Sequence, residues 1–286
     1  MASVAFLGLG VMGAPMAGHV AKAGHKTRVF NRTSSKAEAW TRANGGAAFE
    51  NIAQAVAGAD VVLSCVSADI DVRSVFEAAK PAMKAGAVFA DHSTISADLA
   101  RLLAEEAKAA GFGFLDAPVS GGQAGAEAGR LTIMIGGTAD DLAKAAPVMS
   151  AYSANITHIG GPGSGQLAKM VNQICIAGVL QGLAEGLHFA TRAGLDAEKT
   201  IAAISKGAAQ SWQMENRWRT MINGKFDFGF AVDLMRKDLG LVLDEAARNG
   251  AALTETARID QFYAEVQALG GRRWDTSSLI ARLERK

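Results

Sequence analysis

Short apolar runs alternating with amphipathic stretches constrain the first half of this chain more than any other feature. Val4-Ala5-Phe6-Leu7 stops at Gly8, and a helical pattern follows from about Val11 to Ala23. Gly24-His25-Lys26 reads as a turn and Thr27-Arg28-Val29-Phe30 as a second strand. Further apolar runs at Val61-Val62-Leu63, Ala87-Val88-Phe89, Gly113-Phe114-Leu115 and Thr132-Ile133-Met134-Ile135 alternate with helical stretches around 68–80, 96–110 and 138–150. Strands this short and apolar are buried on both faces, and helices between them imply parallel neighbours. The expected fold of this half is α/β, a doubly wound parallel sheet. Such sheets bind ligands at the carboxyl ends of their strands.

The pattern changes after Gly163. From Gln166 to Arg192 there is no proline, and Leu167, Met170, Val171, Ile174, Leu180, Leu183 and Leu187 recur at helical spacing. That predicts one helix of about 27 residues, roughly 40 Å long at ~1.5 Å per residue. Further helical patterns cover 197–206, 211–223, 230–248 and 254–268, and no strand pattern competes. The expected division is a doubly wound domain over 1–162 and an all-α domain over 163–286, the long helix serving as the spine of the second. Gly178, Gly182 and Gly186 form a smooth ridge on that helix, suited to tight packing within or between subunits.

Charge and cysteine usage exclude several classes. A net charge of +1 makes no electrostatic case for a nucleic-acid or acidic partner. Two cysteines, Cys65 and Cys175, lie far apart with no Cys-x-x-Cys or histidine cluster, so neither a disulfide nor a structural metal is expected. Met1-Ala2-Ser3 leads straight into a strand pattern without a basic leader, and no apolar run reaches the ~18 residues that span a bilayer. A soluble, cytoplasmic protein without a membrane partner is the expectation.

Gly8-Leu9-Gly10-Val11-Met12-Gly13 falls at the carboxyl end of the first strand and opens a helix. The first glycine makes the tight turn, the second lets a pyrophosphate approach the backbone, and the third packs helix against strand. This is the arrangement of a Rossmann-type dinucleotide site. A NAD site places Asp or Glu at the end of the second strand to hold the ribose 2′-hydroxyl. This chain has Asn31-Arg32-Thr33-Ser34 there, neutral donors and a guanidinium suited to a 2′-phosphate. NADP is therefore the favoured cofactor; NAD, with Arg32 stacked on its adenine, is the alternative.

Lys169 lies near the start of the long helix, with Asn172 and Gln173 on the same face. A lysine sits badly with the positive end of a helix dipole, and a glycine-rich lead-in, Gly161 to Gly165, lets another backbone or a ligand come close. Four stretches now line up: Gly8 to Ala17, Asp116-Ala117-Pro118-Val119-Ser120-Gly121-Gly122, Gly163 to Lys169, and Lys237-Asp238-Leu239. Together, over nearly the whole chain, they resemble the β-hydroxyacid dehydrogenases, such as 3-hydroxyisobutyrate dehydrogenase, tartronate semialdehyde reductase and glyoxylate/succinic semialdehyde reductase.

The resemblance implies hydride exchange between a nicotinamide and the carbonyl carbon of a small carboxylate substrate, in a homodimer or homotetramer. Lys169 matches the catalytic lysine, proton donor in reduction and acceptor in oxidation. Ser120, Gly121 and Gly122 match the loop that anchors the substrate carboxylate. Cys65 and Val66 fall in a cofactor-side loop that is often Met-Leu-Pro, Thr94 near the nicotinamide ribose, and Lys237 where a lysine closes over the cofactor. Phe230 and Trp212 are candidate pocket walls. Gln173 stands where many relatives carry a substrate-binding Asn, so Gln173 or the adjacent Asn172 is expected to hold substrate. Arg32 leans toward the glyoxylate/succinic semialdehyde branch. An NAD-dependent 3-hydroxyisobutyrate dehydrogenase is the runner-up, and a non-catalytic nucleotide-binding scaffold the alternative of another class.

Overall fold

The computed structural model describes residues 1–284. The chain forms two compact units, Met1–Lys169 and a second from Met170 onward.

The first unit is built on one sheet of nine strands: β1 (Ser3–Leu7), β2 (Lys26–Phe30), β3 (Ala47–Ala48), β4 (Val61–Ser64), β5 (Val88–Asp91), β6 (Gly113–Asp116), β7 (Val119–Ser120), β8 (Leu131–Gly136) and β9 (Ser153–Gly160). Its helices are α1 (Gly13–Lys22), α2 (Ser34–Asn44), α3 (Ile52–Val56), α4 (Asp69–Ala79), α5 (Ala97–Ala109), α6 (Gly122–Glu127) and α7 (Ala139–Met149). Strand order is β3-β2-β1-β4-β5-β6-β8-β7, with β9 on β8. From β3 to β6 every pairing is parallel. The order reverses between β1 and β4, which makes the carboxyl ends of those strands the natural ligand crevice.

One departure from the expected all-parallel sheet lies at its far side. β8 runs antiparallel to β6 and β7, while β9 runs parallel to β8. A parallel crossover needs a connecting helix long enough to return along the sheet. Between β6 and β8 the chain has only two-residue β7 and six-residue α6, so β8 returns in the opposite direction. Strand alternation divides the core. Val4 and Phe6 of β1 pack with Met16 and Val20 on one face, and Ala5 and Leu7 with Phe76 and Phe89 on the other.

The long helix α8 (Ser164–Arg192) begins in the first unit and continues into the second, followed by α9 (Ala197–Ile204), α10 (Trp212–Ile222), α11 (Val232–Asn249) and α12 (Thr254–Ala268). By length and composition α8 is apolar enough to cross a membrane, contrary to the expectation from single runs. Here Ala177, Leu180, Leu183, Ala184 and Leu187 bury that apolar side among Met214, Met221, Met235, Leu239, Ile259 and Tyr263. A Cβ added at Gly178, Gly182 or Gly186 would meet nothing within 4 Å. The glycine ridge is thus open, and no described residue packs against it.

Gly165, in the first turn of α8, is different. A Cβ there would lie 2.5 Å from the Asp116 carbonyl oxygen, 2.6 Å from that of Met134 and 2.8 Å from the Gly136 nitrogen. The helix start touches strand backbone, and backbone cannot move aside as a side chain would. Gly165→Ala is expected to lower stability by ~1–3 kcal/mol, read as a fall in urea midpoint with unchanged slope; an unchanged midpoint would contradict this packing.

Candidate active site

The expected site residues fall into two groups, one in each unit. In the first unit the glycine loop leaves β1 with Gly8 at φ +98°, and a Cβ on Gly8 would lie 2.4 Å from the Cys65 carbonyl oxygen. A Cβ on Gly13 would lie 2.0 Å from the Gly8 carbonyl oxygen. Both glycines are therefore required by the protein itself. Gly10 is not: its missing side chain faces open space with nothing within 4 Å. That gap, at the start of α1, is room for a pyrophosphate. Met12, the N-cap of α1, makes no side-chain capping bond, and the first turn holds no acid, so the positive helix end is left for an anion. The cradle fits a dinucleotide.

Asn31 takes a structural part in this loop. Its Oδ1 accepts from the Leu9 N–H at 2.9 Å and its Nδ2 donates to the Thr33 carbonyl at 3.0 Å. It thereby fixes the glycine loop to the end of β2. Arg32 and Thr33 are exposed beside it, with Ser34 opening α2. Leu9 is buried and Val11 exposed on the loop. Cys65 and Val66 follow β4 at the same sheet edge; the Cys65 N–H donates to Leu7, and the Val66 N–H to Ser93 Oγ at 2.9 Å.

A buried polar network underlies the remaining residues. Asp91 and Asp116, at the ends of β5 and β6, are partners in register. Asp91 Oδ1 accepts from Ser64 Oγ at 2.6 Å and Ser93 Oγ at 2.8 Å, while Oδ2 is buried with no hydrogen-bond partner among the described residues. Asp116 accepts the N–H groups of Gly163 at 2.8 Å and Gln166 at 2.9 Å, across the start of α8. Burial pushes each carboxyl up to about 6. His92 bridges the Ala117 carbonyl and the Tyr152 hydroxyl, each at 2.7 Å, and burial lowers it to about 4, so it is a neutral packing histidine.

Three residues after Asp116, the Val119 carbonyl accepts from the Lys169 ammonium at 2.9 Å. Lys169 is buried. Ser120 follows Val119 directly, and Gly121 at φ +125° and Gly122 at φ +60° turn the chain into α6. Lys169 is thus held beside the loop expected to anchor a carboxylate. Thr94, half-buried, follows β5. The sequence reading missed Asp91, Asp116 and Gln166; the available signal was an acid ending each of two otherwise apolar strands.

In the second unit Gln173 is only 2 % exposed. Its Nε2 donates to Asp238 Oδ2 at 2.6 Å and its Oε1 accepts from Asn172 Nδ2 at 2.8 Å. The structure thus places the Gln173 amide between Asp238 and Asn172. The Gln173 side chain reaches buried Asp238, and Asn172 beside it is half-buried. Asp238 also pairs with the Lys237 ammonium at 3.0 Å. The Phe230 N–H donates to the buried carboxylate of Asp275 at 3.0 Å. Trp212 is exposed, its ring 4.8 Å from the Arg217 guanidinium, which pairs with Asp275 at 3.3 Å.

Comparison with known proteins identifies the family. Residues 3–160 match the family model described as the NAD binding domain of 6-phosphogluconate dehydrogenase. Residues 163–283 match the one described as the NAD-binding domain of NADP-dependent 3-hydroxyisobutyrate dehydrogenase. An uncharacterized oxidoreductase of Shewanella frigidimarina is 58 % identical, the match covering 100 % of this chain and 99 % of that protein. A probable 3-hydroxyisobutyrate dehydrogenase-like protein of Arabidopsis thaliana is 39 % identical over 99 % of this chain and 85 % of its own. The structure of Mycobacterium tuberculosis 3-hydroxyisobutyrate dehydrogenase with L-serine superposes with a TM-score of 0.92 at 35 % identity, covering both chains fully.

The two buried carboxyls set a pH dependence. Each is raised from 3.8 to about 6 in the folded protein. The stability this contributes is therefore fully present below about pH 4 and lost as pH rises through about 6, on the order of 2–3 kcal/mol per carboxyl. Asp91→Asn, which keeps an acceptor for Ser64 and Ser93, should flatten the decline between pH 4 and 7 and raise the melting temperature at pH 7.5. Thermal unfolding across that range checks it; an unchanged slope would contradict the assignment.

Proposed function

The chain belongs to the β-hydroxyacid dehydrogenases, NAD(P)-dependent enzymes acting on CH–OH groups, and we propose that it is an NADP-preferring reductase of short aldehyde acids, of the glyoxylate or succinic semialdehyde kind, working in reverse as a dehydrogenase of small 3-hydroxy acids. The observation that carries this reading is buried Lys169, its ammonium on the Val119 carbonyl beside Ser120. The bound nicotinamide supplies or accepts the hydride. Lys169 gives its proton to the carbonyl oxygen as negative charge builds there, and takes it back in oxidation. Ser120, Gly121 and Gly122 hold the substrate carboxylate. The family resemblance assigns substrate contacts to Asn172 or Gln173, Phe230 and Trp212, and a cofactor contact to Lys237.

Arg32 supports the NADP preference. It is exposed at the end of β2, where no acid competes with a 2′-phosphate. The second matching family model carries an NADP-dependent description as well. Asn31 and Thr33 flank the phosphate, and Thr94, Cys65 and Val66 line the nicotinamide side. The 3-hydroxyisobutyrate names of the Arabidopsis and Mycobacterium relatives favour the substrate of the second reading, an NAD-dependent 3-hydroxyisobutyrate dehydrogenase. We further propose a cytoplasmic homodimer or homotetramer that uses the exposed stripe of Val171, Cys175, Val179 and Phe189 beside the open glycines of α8.

Two substitutions test the reading. Lys169→Ala should lower kcat by about 10²–10⁴-fold while leaving cofactor affinity intact; turnover within a few-fold of the parent would remove Lys169 from the chemistry. Arg32→Ala should raise KM for NADPH by about 10-fold or more, the loss of a charge-assisted contact, and leave KM for NADH nearly unchanged. Equal losses with both cofactors would return the preference to NAD.

A further inference from the structure

We infer that Gln166 is a positioning residue for the reaction, its side-chain amide setting the Thr94 loop against the helix that carries Lys169; the inference rests on the dehydrogenase reading above. Gln166 lies three residues before Lys169 on α8 and is 1 % exposed. Its Oε1 accepts from the Ile95 N–H at 3.1 Å, and its Nε2 donates to the Ser93 carbonyl at 2.9 Å. One amide thus pairs with the backbone on both sides of Thr94, as a neighbouring strand would.

The clamp is itself held. The Gln166 backbone N–H donates to Asp116 Oδ2 at 2.9 Å, which fixes the residue from β6. Ser93 is fixed from the other side: its hydroxyl donates to Asp91 Oδ1 at 2.8 Å and accepts from the Val66 N–H at 2.9 Å. A continuous series of hydrogen bonds therefore runs from the chain after β4, through the Thr94 loop, to the first turns of α8. These segments lie at the carboxyl edge of the sheet, where the glycine loop also opens.

The chemistry of the residue suits the task. A neutral amide presents donors on its nitrogen and acceptor lone pairs on its oxygen in one plane, which a carbonyl and an N–H two residues apart can both use. Glutamate would still accept from Ile95, but it would leave the Ser93 carbonyl without its donor and add a carboxylate near Asp116. Methionine has the length and volume but would orphan both backbone groups, which the loop can satisfy only by moving. A shift of about 1 Å in a group beside the reacting atoms costs on the order of 100-fold in rate. Gln166 makes its contribution through Thr94, which it sets against the helix that carries Lys169.

The test is a double-mutant cycle of Gln166→Met and Thr94→Ala, with kcat, KM and cofactor affinity measured separately. Gln166→Met should lower kcat by about 10- to 100-fold, while affinity for the nicotinamide dinucleotide, titrated by fluorescence without second substrate, changes less than about threefold. The double variant should be no slower than the worse single one, because the amide works through Thr94. Multiplying losses in the cycle, or a kcat for Gln166→Met within twofold of a parent that does turn over, would overturn the positioning role alone. No turnover by the parent with any short aldehyde acid or 3-hydroxy acid would overturn the dehydrogenase reading and this inference with it. Should Gln166→Met fail to fold, the same cycle with Gln166→Glu, which loses only the donor to Ser93, gives the same two outcomes.

Discussion

The carboxylate of Asp116 is the interaction on which the candidate site depends. It accepts the N–H groups of Gly163 and Gln166 and so closes the amino end of a 29-residue helix. The helix end offers unpaired donors and partial positive charge, which favour the carboxylate's charge, while burial opposes it and dominates. Glycines make the approach possible. A Cβ on Gly136 would sit 2.3 Å from Asp116 Oδ1, and Gly163 takes φ +87°. Lys169 follows within about one and a half turns of the helix start, and the Val119 carbonyl that holds it belongs to the same strand-end segment as Asp116. One short stretch, Asp116 to Val119, therefore anchors both the helix and the ammonium it carries.

The dinucleotide cradle rests on a different principle. Gly8 and Gly13 are required because neighbouring backbone occupies the space a side chain would take, whereas Gly10 is bare toward open space. Asn31 ties that loop to the end of β2 and leaves Arg32 exposed beside it. The loop's shape and the cofactor preference are thus carried by adjacent residues with separate tasks. Changing Arg32 alters which phosphate is welcome without disturbing the turn.

Much of this was legible in sequence because it follows from local pattern. Val61-Val62-Leu63 and the buried run of β5 read as parallel strands, and the glycine spacing with α1 after it read as a nucleotide loop. The proline-free stretch to Arg192 read as one helix, observed over Ser164–Arg192. What was not legible depends on reach or on weak burial. β9 is mostly exposed, and α2 buries only Ala37 and Trp40, so neither left an apolar trace. The reversal of β8 follows from how short α6 is. The bond from the Gln173 amide to buried Asp238 joins residues 65 positions apart, beyond the reach of local pattern. Asp116 and Gln166 are polar residues whose importance lies in backbone groups far along the chain.

The most direct measurement is initial rates of the purified protein with NADPH and NADH against glyoxylate, succinic semialdehyde and methylmalonate semialdehyde, with 3-hydroxyisobutyrate in reverse. The account expects strong turnover of glyoxylate or succinic semialdehyde with NADPH and much weaker rates with NADH. Tight cofactor binding without turnover of any of these would contradict it.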